Sequence, residues 1–398
     1  MKQLSRTASV PIALVTVLAT VTACTSGTST KGGKHSAGGT GTTCSATGTS
    51  TDAGVSAAQQ ALAKAAGTSS KWDGPTSGPK AQHRGATVVF IPLTSANAGD
   101  VGVQNGFKEA AAALGWKVKV IDGGGTTTST LAALDQAIAL KPAAIAVSSF
   151  DAKAAQPAFA KAKALGIPVV GNHTGQDPGP QDNAPAMFTN VTSDPTTIAA
   201  VAADCAIVAS GGKAGVTIVG CGNEVGICAT KEDSMKKTIE TCGGCTVLDK
   251  HDYPFGDATQ REGTVATADL QRFGDKLTYM LSINDIYWDA AIPALRAAGV
   301  TATEPPHMIA AGDGSPAAFK RIRAGEYQIA TVAEPLTEHG WQMADELNRA
   351  LAGQPPSGFV TYPHIVTKEN VDTEGGQQNT YEPSNGYREQ YTKLWSGS

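Results

Sequence analysis

Aromatic side chains are scarce in this chain of 398 residues: 5 Trp, 8 Tyr and 9 Phe make up 6% of it. Charged residues are only 17%, the formal net charge is −4, and no run of Lys or Arg occurs. A weakly acidic chain without a basic patch has little to offer phosphates, which excludes nucleic acid as a partner. The motifs of hydrolysis and phosphoryl transfer are missing too. There is no Gly-x-Ser-x-Gly elbow, no phosphate loop ending in Gly-Lys-Ser/Thr and no His-Glu-x-x-His. The 7 His are scattered, with no pair at metal-ligand spacing. GGGTTT (123–128) follows an apolar run but lacks dinucleotide-site spacing, so it reads as a turn. The expectation is a protein that is not an enzyme and carries neither cofactor nor metal.

The N-terminus decides the compartment. Lys2 and Arg6 precede VPIALVTVLATV (10–21), an apolar run too short for a spanning helix but suited to a secretory signal. It ends in Val21-Thr22-Ala23-Cys24, which resembles the lipobox of bacterial lipoproteins; the alternative is ordinary cleavage near Ala23 with an incidental Cys. The expected product is exported and held to the membrane by lipid on Cys24, because several acyl chains anchor where one is marginal. No other segment could span a bilayer. Residues 24–84 read as a stalk: Gly, Ser and Thr dominate up to about 50, VSAAQQALAKAA (55–66) is a short helix, and Pro and Gly punctuate 71–81.

Six cysteines remain beyond Cys24: Cys44 and five between Cys205 and Cys245. Export favours disulfides, and the nearest pairs are Cys221/Cys228 and Cys242/Cys245. Neither pair falls on a position expected to meet ligand. CGGC (242–245) has the form of a redox motif, but it closes a helix rather than opening one, so a structural staple is the better reading. A four-Cys zinc site has usable spacing and is the weaker alternative outside the cell.

From Gly85 onward apolar runs alternate with helical patterns. Strands are expected at 86–93, 116–122, 143–149 and 167–172, with helices at 103–115, 130–140 and 153–166 between them. The alternation restarts after a polar loop, with strands at 214–220, 245–252, 277–283, 307–312 and 328–334. The helices between them cover 195–210, 229–241, 257–272, 287–298 and 315–324. A helix at 339–353 and a closing strand at 358–367 end the pattern. Tandem β-α units of this kind give two doubly wound parallel-sheet lobes, with ligand expected in a cleft at the strands' carboxyl ends.

Five segments in order, ALGWKVKVIDG, KAKALGIPVVG, LSINDIYWDAAIPALRAAG, IAAGDGSPAAFKRIRAGEYQIATVAE and IVTKENVD, resemble the type I periplasmic sugar-binding proteins of ABC importers, the ribose-binding-protein group. The resemblance covers about 85–372. It implies an N-terminal lobe of 85–190 and 335–357, a C-terminal lobe of 191–334 and 358–398, three crossovers, and hinge closure on a ligand. It also implies delivery to a membrane permease by a monomer.

By the same resemblance, ligand contacts fall on Asn97, Asn172 and His173 in the first lobe. In the second they fall on Lys231, Tyr253, Phe255, Asn284, Asp313 and Glu334, with Asp151 less secure. Paired donors and acceptors suit vicinal hydroxyls, and aromatic faces suit a sugar's C–H face. Each polar position could instead be a helix cap or turn, Asp151 and Asp285 above all. The first loop, TSANAGDVG, lacks the family's aromatics, so stacking is expected on Tyr253, Phe255, Tyr287 or Trp288; Trp288 could equally pack under its helix. Acidic Asp151, Asp313 and Glu334 against Lys231 and a neutral His173 would repel an anion, which points to a neutral sugar or polyol, with a small cation as the weaker alternative. The rival reading is a tethered sensor that presents its ligand to a membrane receptor kinase.

Overall fold

A computed structural model describes residues 43–44, 50, 52–67, 70–222 and 225–397. The signal (1–23), Cys24 and the stalk as far as residue 42 lie outside the described residues. Helix α1 spans Ala53–Ala65. The first lobe then runs β1 (Thr87–Pro92), α2 (Ala98–Leu114), β2 (Lys117–Val120), α3 (Thr127–Ala139), β3 (Ala144–Ser148), α4 (Ala152–Ala164), β4 (Val169–Asn172) and β5 (Thr189–Val191). Its strands are all parallel, in the order β2-β1-β3-β4-β5. The short apolar runs become strands because both faces are covered. Val88 and Phe90 of β1 pack with Phe107 and Leu114 of α2, while Val89 and Ile91 pack with Leu134 and Ile138 of α3.

The second lobe holds α5 (Pro195–Ala209), β6 (Gly215–Gly220), α6 (Gly226–Glu240), β7 (Thr246–Asp252), α7 (Ala258–Phe273), β8 (Tyr279–Ser282), α8 (Ile286–Ala297), β9 (His307–Ala310), α9 (Pro316–Ala324) and β10 (Gln328–Ala333). The chain returns to the first lobe as α10 (Leu336–Leu351), then re-enters the second as β11 (His364–Thr367), which pairs antiparallel with β10. The sheet order is β11-β10-β9-β8-β6-β7. Short α11 (Val371–Glu374) and terminal α12 (Tyr387–Ser396) follow. Two glycines let α2 and α10 cross closely: a Cβ on Gly106 would lie 2.2 Å from the Thr337 carbonyl oxygen, and one on Gly340 would lie 2.3 Å from the Phe107 nitrogen. Among the described residues no helix is long and apolar enough to cross a membrane.

The β-α alternation follows the sequence pattern, and three expectations need correction. The stalk is not free over its described part. Cys44 is buried and bridged to Cys205 of α5, and the apolar stripe Val55, Ala58, Leu62 and Ala65 packs α1 into the second lobe's core. The chain end does not all belong to the second lobe. Tyr387, Tyr391 and Trp395 recur at the spacing of one helix face, and Trp395 stacks on Trp341 of α10 at 5.4 Å and 5°. Trp395 Nε1 also donates to Asp345 at 2.8 Å, so α12 packs on the first lobe. The closing strand pairs only over His364–Thr367, and β5 was not expected. Cysteines 221/228 and 242/245 are bridged within their pairs, which leaves no thiolates for a zinc site.

Two predictions arise from this packing. The Cys44–Cys205 bridge closes a span of 161 residues, for which chain entropy predicts about 5 kcal/mol. Replacing both residues with Ala should lower the melting temperature and open the segment before α1 to protease; unchanged melting and cleavage would contradict it. The second concerns pH. Burial pushes Asp204, Glu232, Glu338 and Glu346 up to about 7 and Glu262 to about 8. Unfolded, these carboxyls ionise near pH 4. Their stabilising contribution is therefore present below about pH 4 and lost as pH rises through their folded values. His339 and His364, both lowered to about 4 by burial, act in the opposite sense but are fewer. Thermal melts should thus show a higher midpoint near pH 5 than near pH 8.

Candidate functional site

The carboxyl ends of both sheets face one cleft, and the lobes are closed on it. A Cβ on Gly99 at the start of α2 would lie 1.8 Å from Asp313 Oδ2 of the other lobe. One on Gly226 would lie 2.6 Å from Gln176 Cγ, and one on Gly256 would lie 2.8 Å from the Gly125 carbonyl oxygen. Glycine at these three positions permits the approach. The cleft encloses ≈ 430 Å³ with its open mouth included.

From the first lobe, Leu93, Asn97, Ser149 and His173 line the cleft. Asn97 caps α2: its Oδ1 accepts from the Gly99 amide at 3.1 Å, which leaves Nδ2 for the cleft. The Ser148 and Ser149 hydroxyls donate to buried Asp100 at 2.6 and 2.9 Å. Burial, with the charge of Asp313 as a further cause, raises the Asp100 carboxyl to about 6 against those hydrogen bonds.

The second lobe contributes Lys231, Phe255, Ile283, Asn284 and Asp313, with Cys221, Val225, Ile227 and Cys228 around the start of α6. Asn284 Nδ2 donates to Asp313 Oδ2 at 2.7 Å, and its Oδ1 accepts from the Ile286 amide as α8 begins. Lys231 Nζ donates to the carbonyls of Ala311 at 2.7 Å and Ile283 at 3.5 Å. Its ammonium lies 3.6 Å from Glu334 Oε1. Neighbouring Asp285 is structural. Its carboxylate accepts from the amides of Gly314 and Ser315 and from Gln328, fixing the loop that carries Asp313.

Glu334 closes the back of the cleft where the crossovers meet. Its Oε2 accepts from His173 at 2.9 Å and from the Ser193 amide at 3.4 Å. Burial would raise this carboxyl, but the charges of His173 and Lys231 outweigh it and hold the group well below the usual carboxylate range. Burial likewise opposes charge on His173, and Glu334 overcomes it, so the imidazole is raised. Ser193 and Thr361 hydroxyls meet at 2.8 Å, and His339 Nε2 lies 2.6 Å from Thr361, which joins the connections around Ser193, Glu334 and Thr361 in one polar knot.

Among the described residues, two side-chain groups bring ligand-type atoms within 4.8 Å of one another: His173, Glu334 and His339, and Asp249, His251 and Asp269. In the first, the Lys231 ammonium already lies 3.6 Å from Glu334 Oε1. In the second, His251 Nε2 rests on both Asp269 oxygens and Arg272 pairs with Asp249.

Of the residues singled out from sequence, Asn97, His173, Lys231, Phe255, Asn284 and Asp313 meet at the cleft. Glu334 lies behind His173 and Lys231. Asn172 is buried between the Ser148 hydroxyl and the Val191 carbonyl, and Asp151 caps α4 through the Lys153 amide. Tyr253 donates to buried Glu262, away from the lining. Trp288 is a correction: it is fully buried in the second lobe's core, because both Tyr287 and Trp288 turn inward at the first turn of α8. The bridges are another. Cys221 and Cys228 both line the cleft, although neither is a ligand-type residue. Leu93, Ser149, Val225, Ile227 and Ile283 were also missed; their only sequence signal is proximity to a strand end.

Comparison with solved structures gives the same fold. An ABC sugar transporter subunit from Rhodobacter sphaeroides matches at 22% identity and TM-score 0.62, covering 72% of this chain and 99% of that one. A solute-binding protein from Agrobacterium vitis with bound α-D-tagatopyranose matches at 20% and 0.66, covering 74% and 99%. One from Mycobacterium smegmatis with bound glycerol matches at 19% and 0.64, covering 75% and 99%. No curated protein sequence matches. The family described as periplasmic binding protein domain matches residues 88–355, and with two closed lobes around one cleft the chain belongs to that family of solute-binding proteins.

Proposed function

We propose that this protein is an extracytoplasmic, lipid-anchored receptor that captures a small neutral sugar or polyol and delivers it to an ABC import permease. The observation that supports this reading is that Asn97 from one lobe and the hydrogen-bonded Asn284 and Asp313 from the other line one cleft at the carboxyl ends of two sheets. Charge balance supports a neutral ligand: Asp313 and Glu334 face Lys231 and a raised His173. An ionic ligand would have to break that balance inside a desolvated cleft. Ligands named for solved relatives, tagatose and glycerol among them, fit this class. A fold built to close by hinge motion gives a permease two states to distinguish.

Two experiments test the reading. Purified protein titrated with a panel of sugars and polyols should bind at least one, and at a hundred times its dissociation constant that ligand adds about 2.7 kcal/mol of stability. Asn284→Ala should weaken that binding by about 1–3 kcal/mol, because it leaves a buried partner unmatched; binding equal to the parent would place the site elsewhere. For the anchor, Cys24→Ser should yield folded protein in the medium or soluble fraction, and unchanged membrane retention would refute lipidation at that residue.

A further inference from the structure

The chain ahead of β1 passes from one lobe to the other and is held at both ends. On the second lobe, Cys44 is bridged to Cys205 of α5, and Val55, Ala58, Leu62 and Ala65 bury one face of α1 in that lobe's core. On the first lobe, Trp72 packs edge-on against Tyr391 of α12 at 5.2 Å and joins that lobe's core. Arg349 Nη2 of α10 donates to the Ser77 carbonyl at 2.6 Å. Asn348 of the same helix donates to the Pro79 carbonyl at 3.1 Å and accepts from the Gln82 amide at 2.8 Å. Trp116 Nε1, just beyond α2, donates to the Gln82 carbonyl at 2.8 Å. Backbone groups matched one by one in this way fix the path of the segment over the first lobe.

Little slack separates the two anchors. On the second-lobe side, His364 Nδ1 of β11 donates to the Gly67 carbonyl at 3.2 Å. Four residues stand between Gly67 and Trp72, and even a fully extended chain covers only about 18 Å over that stretch. The crossing runs beside the connection from α10 to β11 (352–363). Lys64 lies over the Tyr362 ring at 4.7 Å, and Trp72 meets Phe359 at 5.6 Å. Bending at that connection must therefore move two chains.

Resting on the reading of this protein as a receptor whose lobes close on a ligand, we infer that the segment carrying α1 and Trp72 is an additional tie between the lobes that restricts how far the cleft opens. Hinge rotation is absorbed by a few residues in the connections. A further chain packed along one connection, and fixed to a lobe at each end, removes the open conformations that its short span cannot reach. A larger share of ligand-free molecules then stays near the closed arrangement. Apparent affinity scales with the share of binding-competent molecules, so the tie tightens capture without touching the ligand.

A cut made in the folded protein tests this. A recognition sequence for a site-specific protease, placed between Gly67 and Ser70, leaves both anchors intact, and the Cys44–Cys205 bridge retains the N-terminal fragment after cleavage. Small-angle scattering and amide hydrogen exchange are compared for the uncut and cut forms without ligand. The later passage from β11 to α12 is present in both forms, so a difference reports this segment alone. Cleavage should raise the radius of gyration and speed exchange several-fold around Asn97 and Asn284, which line the cleft. Equal scattering and equal exchange in the two forms overturn the inference. A larger radius with unchanged exchange around Asn97 and Asn284 overturns it too, since the fragment would then have loosened without the lobes opening. A lower melting temperature with both readouts unchanged does the same, because the segment would be a stabiliser only. Neither readout uses a ligand, so a panel in which no sugar or polyol binds overturns the receptor reading separately from the outcome of the cut.

Discussion

The carboxylate of Glu334 is the point on which the two lobes are referenced to each other. It is buried at the second crossover and ionised against the cost of its burial, because His173 comes from the first lobe and Lys231 from the second. Removing either partner would leave a buried charge poorly matched, which is far more damaging than losing an exposed ion pair. The geometry has a mechanical consequence. His173 follows β4 and Lys231 lies in α6, so a single anion fixes the rear of both strand-end surfaces.

Much of this architecture was legible in the sequence because covered parallel sheets leave a plain signature. Runs such as VVFIP and AIAVS are apolar without alternation, and Gly115 and Gly325 stop the helices that follow such strands, each adopting a left-handed cap. Asn97, Asn284 and Asp313 were placed by the resemblance to known sugar binders, and the strand ends at which they fall could be found by counting from those runs. Contacts between distant segments left no such mark. Nothing local in Cys44 says that Cys205 is its partner, and the aromatic stripe of α12 announces a buried face without saying which lobe it meets. Trp288 failed for a different reason. Proximity to a strand end is a one-dimensional property, but the direction of a side chain in the first turn of a helix depends on phase, and Tyr287 and Trp288 are both apolar enough to be buried.

Helices that begin near the cleft do so in different ways. Helices α2, α4, α5 and α9 start on polar caps, Asn97, Asp151, Asp194 and Ser315, whose side chains satisfy the first amides. Helix α6 has Val225 at that position and no side-chain cap. A helix start without a cap loses about 1 kcal/mol, and here a covalent bridge from Cys221 to Cys228 restrains the turn in its place. The substitution of a bridge for a cap has a chemical result. Where Asn97 offers an amide to the cleft, the start of α6 offers sulfur and branched aliphatic carbon.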